Sequence, residues 1–166
     1  MTLEEYQKKR DFTKSPEPTG EIKVESKRNN VDNIGNGIGN GIRSTIFVIH
    51  EHHSSRLHWD LRLEIGDVLR SWAVPKDPID VNNGSRRLAI QVEDHPVEYA
   101  IFEGDIPTGM YGAGTVKIWD NGDFNIEDNI IDKLIFELKG KKMNGRYALI
   151  YVPNMGENSW LFIKKK

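Results

Sequence analysis

The chain has 166 residues, and its 23 basic and 25 acidic side chains give a formal net charge of −2. This length suffices for one ordinary domain with a substantial hydrophobic core and is too short for two. The near-neutral charge excludes a generic polycationic coat for nucleic acid. The absence of cysteine excludes disulfides, thiolate zinc sites and iron–sulfur clusters, so any metal ion must be held by nitrogen and oxygen ligands.

The first 18 residues predict a short helix followed by an extended arm. Thr2 and Glu5 have the spacing of a helix capping box, and Pro16 and Pro18 then stop the helix. The N-terminus is charged where a secretory signal would be apolar, and no later apolar run is long enough to cross a bilayer. We therefore assign residues 1–18 to the main domain and expect a cytoplasmic protein without a membrane partner.

Residues 19–45 predict a flexible linker or loop. Glycine occupies every second position from 35 to 41, between asparagine and isoleucine residues. Such a composition makes a helix or strand entropically costly. The glycine- and asparagine-rich segment 31–42 is therefore expected to supply neither core residues nor ligands.

From residue 46 onward the hydrophobic pattern has a period of two, which is typical of strands. The predicted strands are Ile46–His53, Leu57–Glu64, Leu69–Val74, Leu88–Glu93, Thr115–Trp119, Leu134–Leu138, Arg146–Val152 and Ser159–Ile163. Turn sequences such as Asn121-Gly122 separate them. Many short strands without long helical segments indicate a mainly β domain over residues 46–166, built as an antiparallel sheet, sandwich or barrel.

One predicted strand, residues 57–64, carries the most distinctive polar face. Its odd positions are Leu57, Trp59, Leu61 and Leu63, and its even positions are His58, Asp60, Arg62 and Glu64. A tight connection at residues 54–56 would fold His52 back beside His58, which gives two imidazoles and the Asp60 carboxylate as metal ligands. Arg62 would offer a bidentate guanidinium to an anion. The alternative is a solvated face on which Asp60 and Arg62 simply pair.

The other histidines near this strand, His50 and His53, are weaker ligand candidates. His50 shares the face of His52, but nothing in the sequence marks a role for it.

A second polar cluster contains His95 and Tyr99. A histidine and a phenol on one short segment can contact phosphate oxygens and relay a proton. The alternative is a strand-terminating turn with a surface histidine. The glycine-rich residues 109–115 lack the Lys-Ser/Thr ending of a P-loop and predict a tight turn, while Lys76 and Arg87 are individually unspecific phosphate contacts.

Four ordered blocks, at residues 52–64, 71–76, 93–99 and 102–115, carry a family resemblance. Together with residues 6–12, 15–18 and 145–149 they are similar to the 3′-phosphoesterase module of bacterial DNA ligase D. The resemblance covers nearly the whole chain except residues 19–44. It implies a small antiparallel β-barrel with short flanking helices. Because no polymerase or ligase domain fits in 166 residues, the chain resembles the freestanding form known in archaea and some bacteria.

The resemblance also implies an activity. The family heals DNA 3′ ends as a phosphomonoesterase and phosphodiesterase: it removes 3′-phosphates and 3′-terminal ribonucleosides from DNA or RNA–DNA primer-template strands. It uses a divalent metal, typically manganese, with zinc and cobalt as alternatives. The expected partners are these 3′ ends and a separately encoded DNA ligase, and the expected state is a monomer.

The family's functional residues carry over by position. The metal ligands correspond to His52, His58 and Asp60, and the residues around the scissile phosphate correspond to Arg62, His95 and Tyr99. Further functional positions correspond to Arg10, Asp11 and Glu17, and supporting phosphate contacts to Lys76 and Arg87. One departure is His50, where the family pattern leads us to expect glutamine. Whether His95 acts as a general acid or only stabilises the transition state is open.

Two alternatives from other classes remain. A non-haem iron oxygenase on a β-barrel would use His58, Asp60 and a distant His95. The sequence shows no clear Arg-x-Ser pattern for its co-substrate in the C-terminal strands. A non-catalytic module that binds 3′ ends is the other alternative, and the intact metal and phosphate positions argue against it.

Overall fold

The computed structural model describes residues 1–20, 38–39 and 42–166. One α-helix, α1, spans Leu3–Lys8. The strands are β1 (Ile38–Gly39), β2 (Ile42–Arg43), β3 (Ile46–His53), β4 (Leu57–Ile65), β5 (Val68–Val74), β6 (Arg87–Pro96), β7 (Gly104–Ile106), β8 (Gly114–Ile130), β9 (Lys133–Lys139), β10 (Asn144–Tyr151) and β11 (Ser159–Lys164). Short 3₁₀ turns lie at Pro78–Asn83, Val97–Ile101 and Pro153–Met155.

Eight antiparallel strands close into a barrel in the order β3-β4-β5-β6-β11-β10-β9-β8, and β8 returns to pair with β3. The long strand β8 makes this closure possible. Its first half pairs with β3 from Thr115 to Asp123, and its second half pairs with β9 from Asp123 to Ile130. The short strand β7 adds to the start of β8. The mainly β fold class and the barrel are confirmed.

The predicted turn at Asn121-Gly122 is wrong, because both residues lie inside β8. Glycine is required there by a close approach of two backbones rather than by a turn. A Cβ atom on Gly122 would lie 2.1 Å from the carbonyl oxygen of Lys139. The sequence signal was therefore real, but it marked the place where β8 passes from one neighbour to the other. Most other predicted strands agree within a few residues, whereas β7 was not predicted.

The barrel interior holds one apolar core. Side chains that alternate along the strands point inward from every part of the barrel, among them Phe47, Leu61, Trp72, Phe136 and Phe162. Trp59, Leu61 and Leu63 of β4 belong to this core, as the alternation of that strand predicted, whereas Leu57 at its start is 43 % exposed.

A second apolar cluster covers the outside of the barrel wall. It combines outward-facing residues of β3 and β5, such as Val48 and Leu69, with Tyr6 of α1, Tyr99 of the 3₁₀ turn and Ile106 of β7. The N-terminal arm and the segment 97–113 cover this part of the outer wall, which we call the covered wall. The strands beneath it are buried on both faces, so their polar outward side chains are also removed from solvent.

The predicted N-terminal helix is confirmed: the Thr2 side chain accepts a hydrogen bond from the Glu5 amide at 3.3 Å and begins α1. The helix ends at Lys8, before Pro16 and Pro18, so the prolines do not end it. Within the predicted linker, β1 and β2 form a short antiparallel pair, which a purely irregular segment would lack. The part of the linker prediction that falls on residues 21–37 and 40–41 lies outside the described residues. None of the helices in the described part of the chain has the length and apolar character needed to span a membrane.

Candidate metal and phosphate site

The hairpin of β3 and β4 brings two histidines and one aspartate together on the covered wall. The register places His52 directly opposite His58, and Asp60 follows two residues later on the same face. His52 Nδ1 lies 3.5 Å from one carboxylate oxygen of Asp60, and His58 Nε2 lies 3.3 Å from the other. The three ligand atoms lie within 4.8 Å of one another. The structure therefore assembles the predicted nitrogen, nitrogen and oxygen donors.

The backbone sets which ring nitrogen of each histidine is available. His52 Nε2 lies 2.7 Å from the carbonyl oxygen of Gly112, and His58 Nδ1 lies 3.0 Å from that of Arg56. A carbonyl oxygen only accepts, so these nitrogens carry the hydrogen and donate it. The remaining nitrogens face Asp60 as its hydrogen-bond partners and are the ones that would coordinate a bound ion. This arrangement, in which a backbone carbonyl orients each imidazole, is typical of metal-binding histidines and fits a divalent ion.

The charges around Asp60 prepare its carboxylate as a ligand. Burial alone would raise its pKa, but the Arg62 guanidinium and the hydrogen bonds from His52 and His58 hold the pKa well below its usual range. For His58, burial lowers the pKa, and the hydrogen bond and charge of Asp60 outweigh it, so the pKa is raised. Asp60 is therefore ionised at neutral pH.

Arg62 is fixed in place with one donor group unused. Its Nη2 donates to Asp60 at 3.2 Å and its Nε to His50 Nδ1 at 3.1 Å. The ring of Tyr99 lies 4.7 Å from the guanidinium carbon. Although Arg62 is only 3 % exposed, its Nη1 has no hydrogen-bond partner among the described residues. A buried donor without a partner costs about 1–3 kcal/mol, so Nη1 is a strong site for an anion oxygen.

His50 has a role that the sequence did not indicate. Its ring is fully buried, donates from Nε2 to the Phe102 carbonyl at 2.9 Å and accepts from Arg62 at Nδ1. Burial and the adjacent Arg62 charge lower the pKa of His50 to about 3, so the ring stays neutral and can accept. His50 positions Arg62 and is not in the metal-ligand group. Its place on the face of His52 was the signal available in the sequence.

The N-terminal arm adds a second cation to the site. Arg10 donates to Glu17 at 2.8 Å and to Glu93 at 3.1 Å, and its Nη2 lies 3.4 Å from His95 Nε2. Tyr99 donates from its hydroxyl to the same Glu17 oxygen at 2.8 Å. These contacts explain why Arg10 and Glu17, which are far from β6 in sequence, join His95 and Tyr99. Glu93 begins one of the blocks that carry the family resemblance, but the sequence did not predict it as a site residue.

His95 and Tyr99 are both neutral in this environment. Burial, reinforced by the charges of Arg62 and Arg10, lowers the pKa of His95 well below its usual value. Its Nδ1 lies 2.9 Å from the Glu93 carbonyl oxygen, so Nδ1 donates and Nε2 keeps its lone pair. Burial raises the pKa of the Tyr99 phenol well above its usual value, and Glu17 adds to the rise.

These side chains line one pocket of about 260 Å³. The predicted site residues in its wall are Arg10, His52, His58, Asp60, Arg62, His95 and Tyr99. Glu17 lies directly behind them through its bonds to Arg10 and Tyr99. The pocket opens on the outside of the barrel and not through its interior.

Besides Glu17, three predicted site residues do not line this pocket. Asp11 is partly exposed and accepts from the Thr13 amide in the turn after α1. Lys76 and Arg87 line a separate pocket, where Arg87 donates to Asp80 at 2.6 Å. Arg87 begins β6 and His95 lies eight residues later, roughly 26 Å along an extended strand.

Comparison with known proteins identifies a family. The family described as "DNA Ligase D 3'-phosphoesterase domain" matches residues 50–151. The multifunctional non-homologous end joining protein LigD of Pseudomonas aeruginosa is 42 % identical over 99 % of the chain. The corresponding DNA repair protein of Mycobacterium tuberculosis is 46 % identical over 89 % of the chain.

The chain spans about a fifth of the length of these relatives, 18 % in both. A third relative, the LigD of Mycolicibacterium smegmatis, is 42 % identical over 99 % of the chain, which covers 20 % of that protein. The family match takes in β4, β5, β6 and the hairpin that carries His52, His58 and Asp60. The chain therefore belongs to the DNA ligase D 3′-phosphoesterase domain family.

Proposed function

We propose that the protein is a divalent-metal-dependent hydrolase that heals DNA 3′ ends, removing 3′-phosphates and 3′-terminal ribonucleosides from primer-template strands. The observation that carries this proposal is the unpaired, buried Nη1 of Arg62 beside the His52, His58 and Asp60 group, in one pocket. A fixed cation and a set of metal ligands at one place suit a phosphate ester. Membership of the 3′-phosphoesterase family gives the substrate class.

The proposed ion is manganese, because the resemblance to the 3′-phosphoesterase family implies it. The Asp60 carboxylate suits manganese, and the two imidazoles also suit zinc or cobalt. When bound by His52, His58 and Asp60, a divalent ion supplies Lewis-acid polarisation of the phosphate.

Arg62 has the task of holding the phosphate. Its Nε and Nη2 are already used by His50 and Asp60, so the free Nη1 donates to a phosphate oxygen without reorganisation of the side chain. Such a preorganised donor stabilises the charge that develops on the transferring phosphoryl group. Tyr99 supports Arg62 from behind with its ring and is itself fixed by Glu17.

The state of His95 limits its role. As a neutral imidazole its Nε2 carries no hydrogen, faces Arg10 Nη2 at 3.4 Å and can accept a hydrogen bond or a proton in the pocket. To act as a general acid it must first become an imidazolium, which the charges of Arg10 and Arg62 oppose. A bound phosphate would offset those charges, so we place any acid role of His95 in the substrate complex.

The oxygenase alternative is not supported. It required His95 as the third ligand, but His95 Nδ1 donates to the Glu93 carbonyl and its Nε2 lies against Arg10. The described metal-ligand group contains His52 in its place, and the family match points to a phosphoesterase.

The test uses two primer-templates, one ending in a 3′-phosphate and one in a 3′-ribonucleotide. Each is incubated with the protein and manganese, zinc, cobalt or EDTA, and the products are identified by mass. We expect loss of the phosphate from the first, trimming of the second, and neither in EDTA. Binding without any change of mass would identify a non-catalytic end-binding module and would reject the proposal.

A further inference from the structure

The rim of the pocket carries an aromatic side chain that the chemistry above does not use. Two tyrosines line the pocket, and they differ in exposure: Tyr99 is 2 % exposed and Tyr111 is 45 % exposed. Tyr99 is committed to Arg62 and Glu17. The Tyr111 ring therefore offers free aromatic surface where the pocket meets solvent.

The turn that carries Tyr111 is fixed to the metal-ligand hairpin. The Gly112 carbonyl accepts from His52, and a Cβ atom on Gly114 would lie 2.0 Å from the His53 carbonyl oxygen, so only glycine allows this close approach. Backbone hydrogen bonds from Met110 to Pro107 and from Ala113 to Met110 hold the turn itself. The position of Tyr111 relative to the ligands is thus set by the backbone.

Two cations of the N-terminal arm lie over the Tyr111 ring. Lys9 Nζ is 4.8 Å and the Arg10 guanidinium carbon is 5.2 Å from the ring centre. Both cations are paired with carboxylates, Lys9 with Glu93 and Arg10 with Glu17 and Glu93, so they hold the ring in place rather than add net charge at the rim. The exposed part of the ring remains open to a flat partner.

We propose that Tyr111 stacks on the nucleobase of the 3′-terminal nucleotide and makes the site selective for nucleotide ends over phosphate esters that lack a base. The proposal rests on the function proposed above, because it takes the terminal phosphate to lie at Arg62. The base of that same nucleotide then extends from the pocket floor toward the rim. Stacking on an aromatic side chain tolerates every base, as an enzyme that heals ends of any sequence requires.

The kinetic test compares two primer-templates with a 3′-phosphate, one with a normal terminal nucleotide and one whose terminal residue is an abasic tetrahydrofuran. The readout is the ratio of their kcat/KM values. We expect the native protein to prefer the base by roughly 5- to 150-fold, the range of one base–aromatic stack. Tyr111→Ala should bring the ratio close to one, and Tyr111→Phe should preserve it. An equal loss on both substrates, or an unchanged ratio in Tyr111→Ala, overturns the proposal.

Ile131→Ala is the matched control, because Ile131 is 91 % exposed and is not among the residues that line the pocket. It should keep the native ratio.

A second measurement separates this proposal from the proposed function. A primer-template with 2-aminopurine at the 3′ terminus is titrated with protein in EDTA, and stacking is read as quenching of its fluorescence. Quenching by the native protein and by Tyr111→Phe, but not by Tyr111→Ala, supports stacking even if no hydrolysis occurs in the kinetic test. Equal quenching by the native protein and Tyr111→Ala refutes stacking, whatever the kinetic test shows about hydrolysis.

Discussion

The barrel interior and the covered wall are built from the same strands, yet they have opposite chemistry. Along β3 and β4, inward side chains such as Ile49 and Leu61 join the apolar core, while outward ones such as His50 and Arg62 are equally buried and polar. Closure of the sheet alone buries the interior. The covered wall is buried only because the N-terminal arm and the segment 97–113 lie over it.

Burial therefore has a different physical effect on each face of these strands. In the interior, burial removes apolar area from water and stabilises the fold. On the covered wall, burial places charges in a low-dielectric setting, where each needs a partner and where an unpaired donor becomes an anion site. Mutations on the two faces should therefore separate stability from chemistry.

The largest effect is expected from removal of a metal ligand. His58→Ala should abolish turnover and metal retention while the protein stays folded, because one of three protein donors is lost. Turnover and metal content after dialysis are the measurements. His53→Ala is the control, since His53 neighbours the site but is exposed and pairs with Glu51. Full activity in His58→Ala would contradict the ligand assignment.

A change in the interior should act on stability alone. Leu149 is fully buried in β10, away from the pocket, and Leu149→Ala should lower the free energy of unfolding by about 2–5 kcal/mol. Below the unfolding transition its kcat/KM should match the native value. Ile130→Ala, at a position 52 % exposed, should change stability by less than about 0.5 kcal/mol. A large loss of kcat/KM in folded Leu149→Ala would show that the two faces are coupled.

Removal of the Arg62 guanidinium, the proposed hydrogen-bond donor to the phosphate, should lower the rate and leave the metal bound. Arg62→Ala should lower the rate by about 10²–10³-fold, the usual cost of losing one preorganised donor. Arg62→Lys should rescue poorly, because an ammonium cannot bond His50 and Asp60 and still present a third donor in the same plane. Rates and metal content are measured together. A metal-free Arg62→Ala protein, or a native rate in Arg62→Lys, would make Arg62 a structural partner of Asp60.

The smallest effect concerns acid stability. The pKa of His95 is lowered in the folded protein. The unfolded chain therefore binds more protons than the folded protein at pH values below about 6.5, the usual histidine pKa. Stability should therefore fall as the pH drops below about 6.5, by up to about 1.4 kcal/mol per pH unit from this group. His50 adds a loss of the same sign down to about pH 3.

The test is metal-free denaturant unfolding of native protein and His95→Gln between pH 7 and pH 5. His95→Gln should lose less stability over this range. If His95→Gln keeps the full native slope, His95 is not the neutral buried group described here.

The part of the site that the sequence pattern predicts lies on one hairpin, formed by β3 and β4. The alternation of β4 predicted that His58, Asp60 and Arg62 share a face, and the short connection predicted that His52 returns beside His58; both are confirmed. These contacts are local, so strand periodicity and turn length suffice to determine them. The sequence did not indicate the role of His50, because the hydrogen bond that orients its ring is made to the carbonyl of Phe102, 52 residues away.

The mainly β fold, the N-terminal helix and the metal-ligand hairpin could be predicted from the sequence, since each depends on residues close together in the chain. The packing of distant segments buries the polar face of β4, brings Arg10 and Glu17 to His95 and Tyr99, and turns Lys76 and Arg87 to another pocket. Periodicity specifies which side chains share a face. What covers that face depends on how distant segments pack, and no local pattern encodes it.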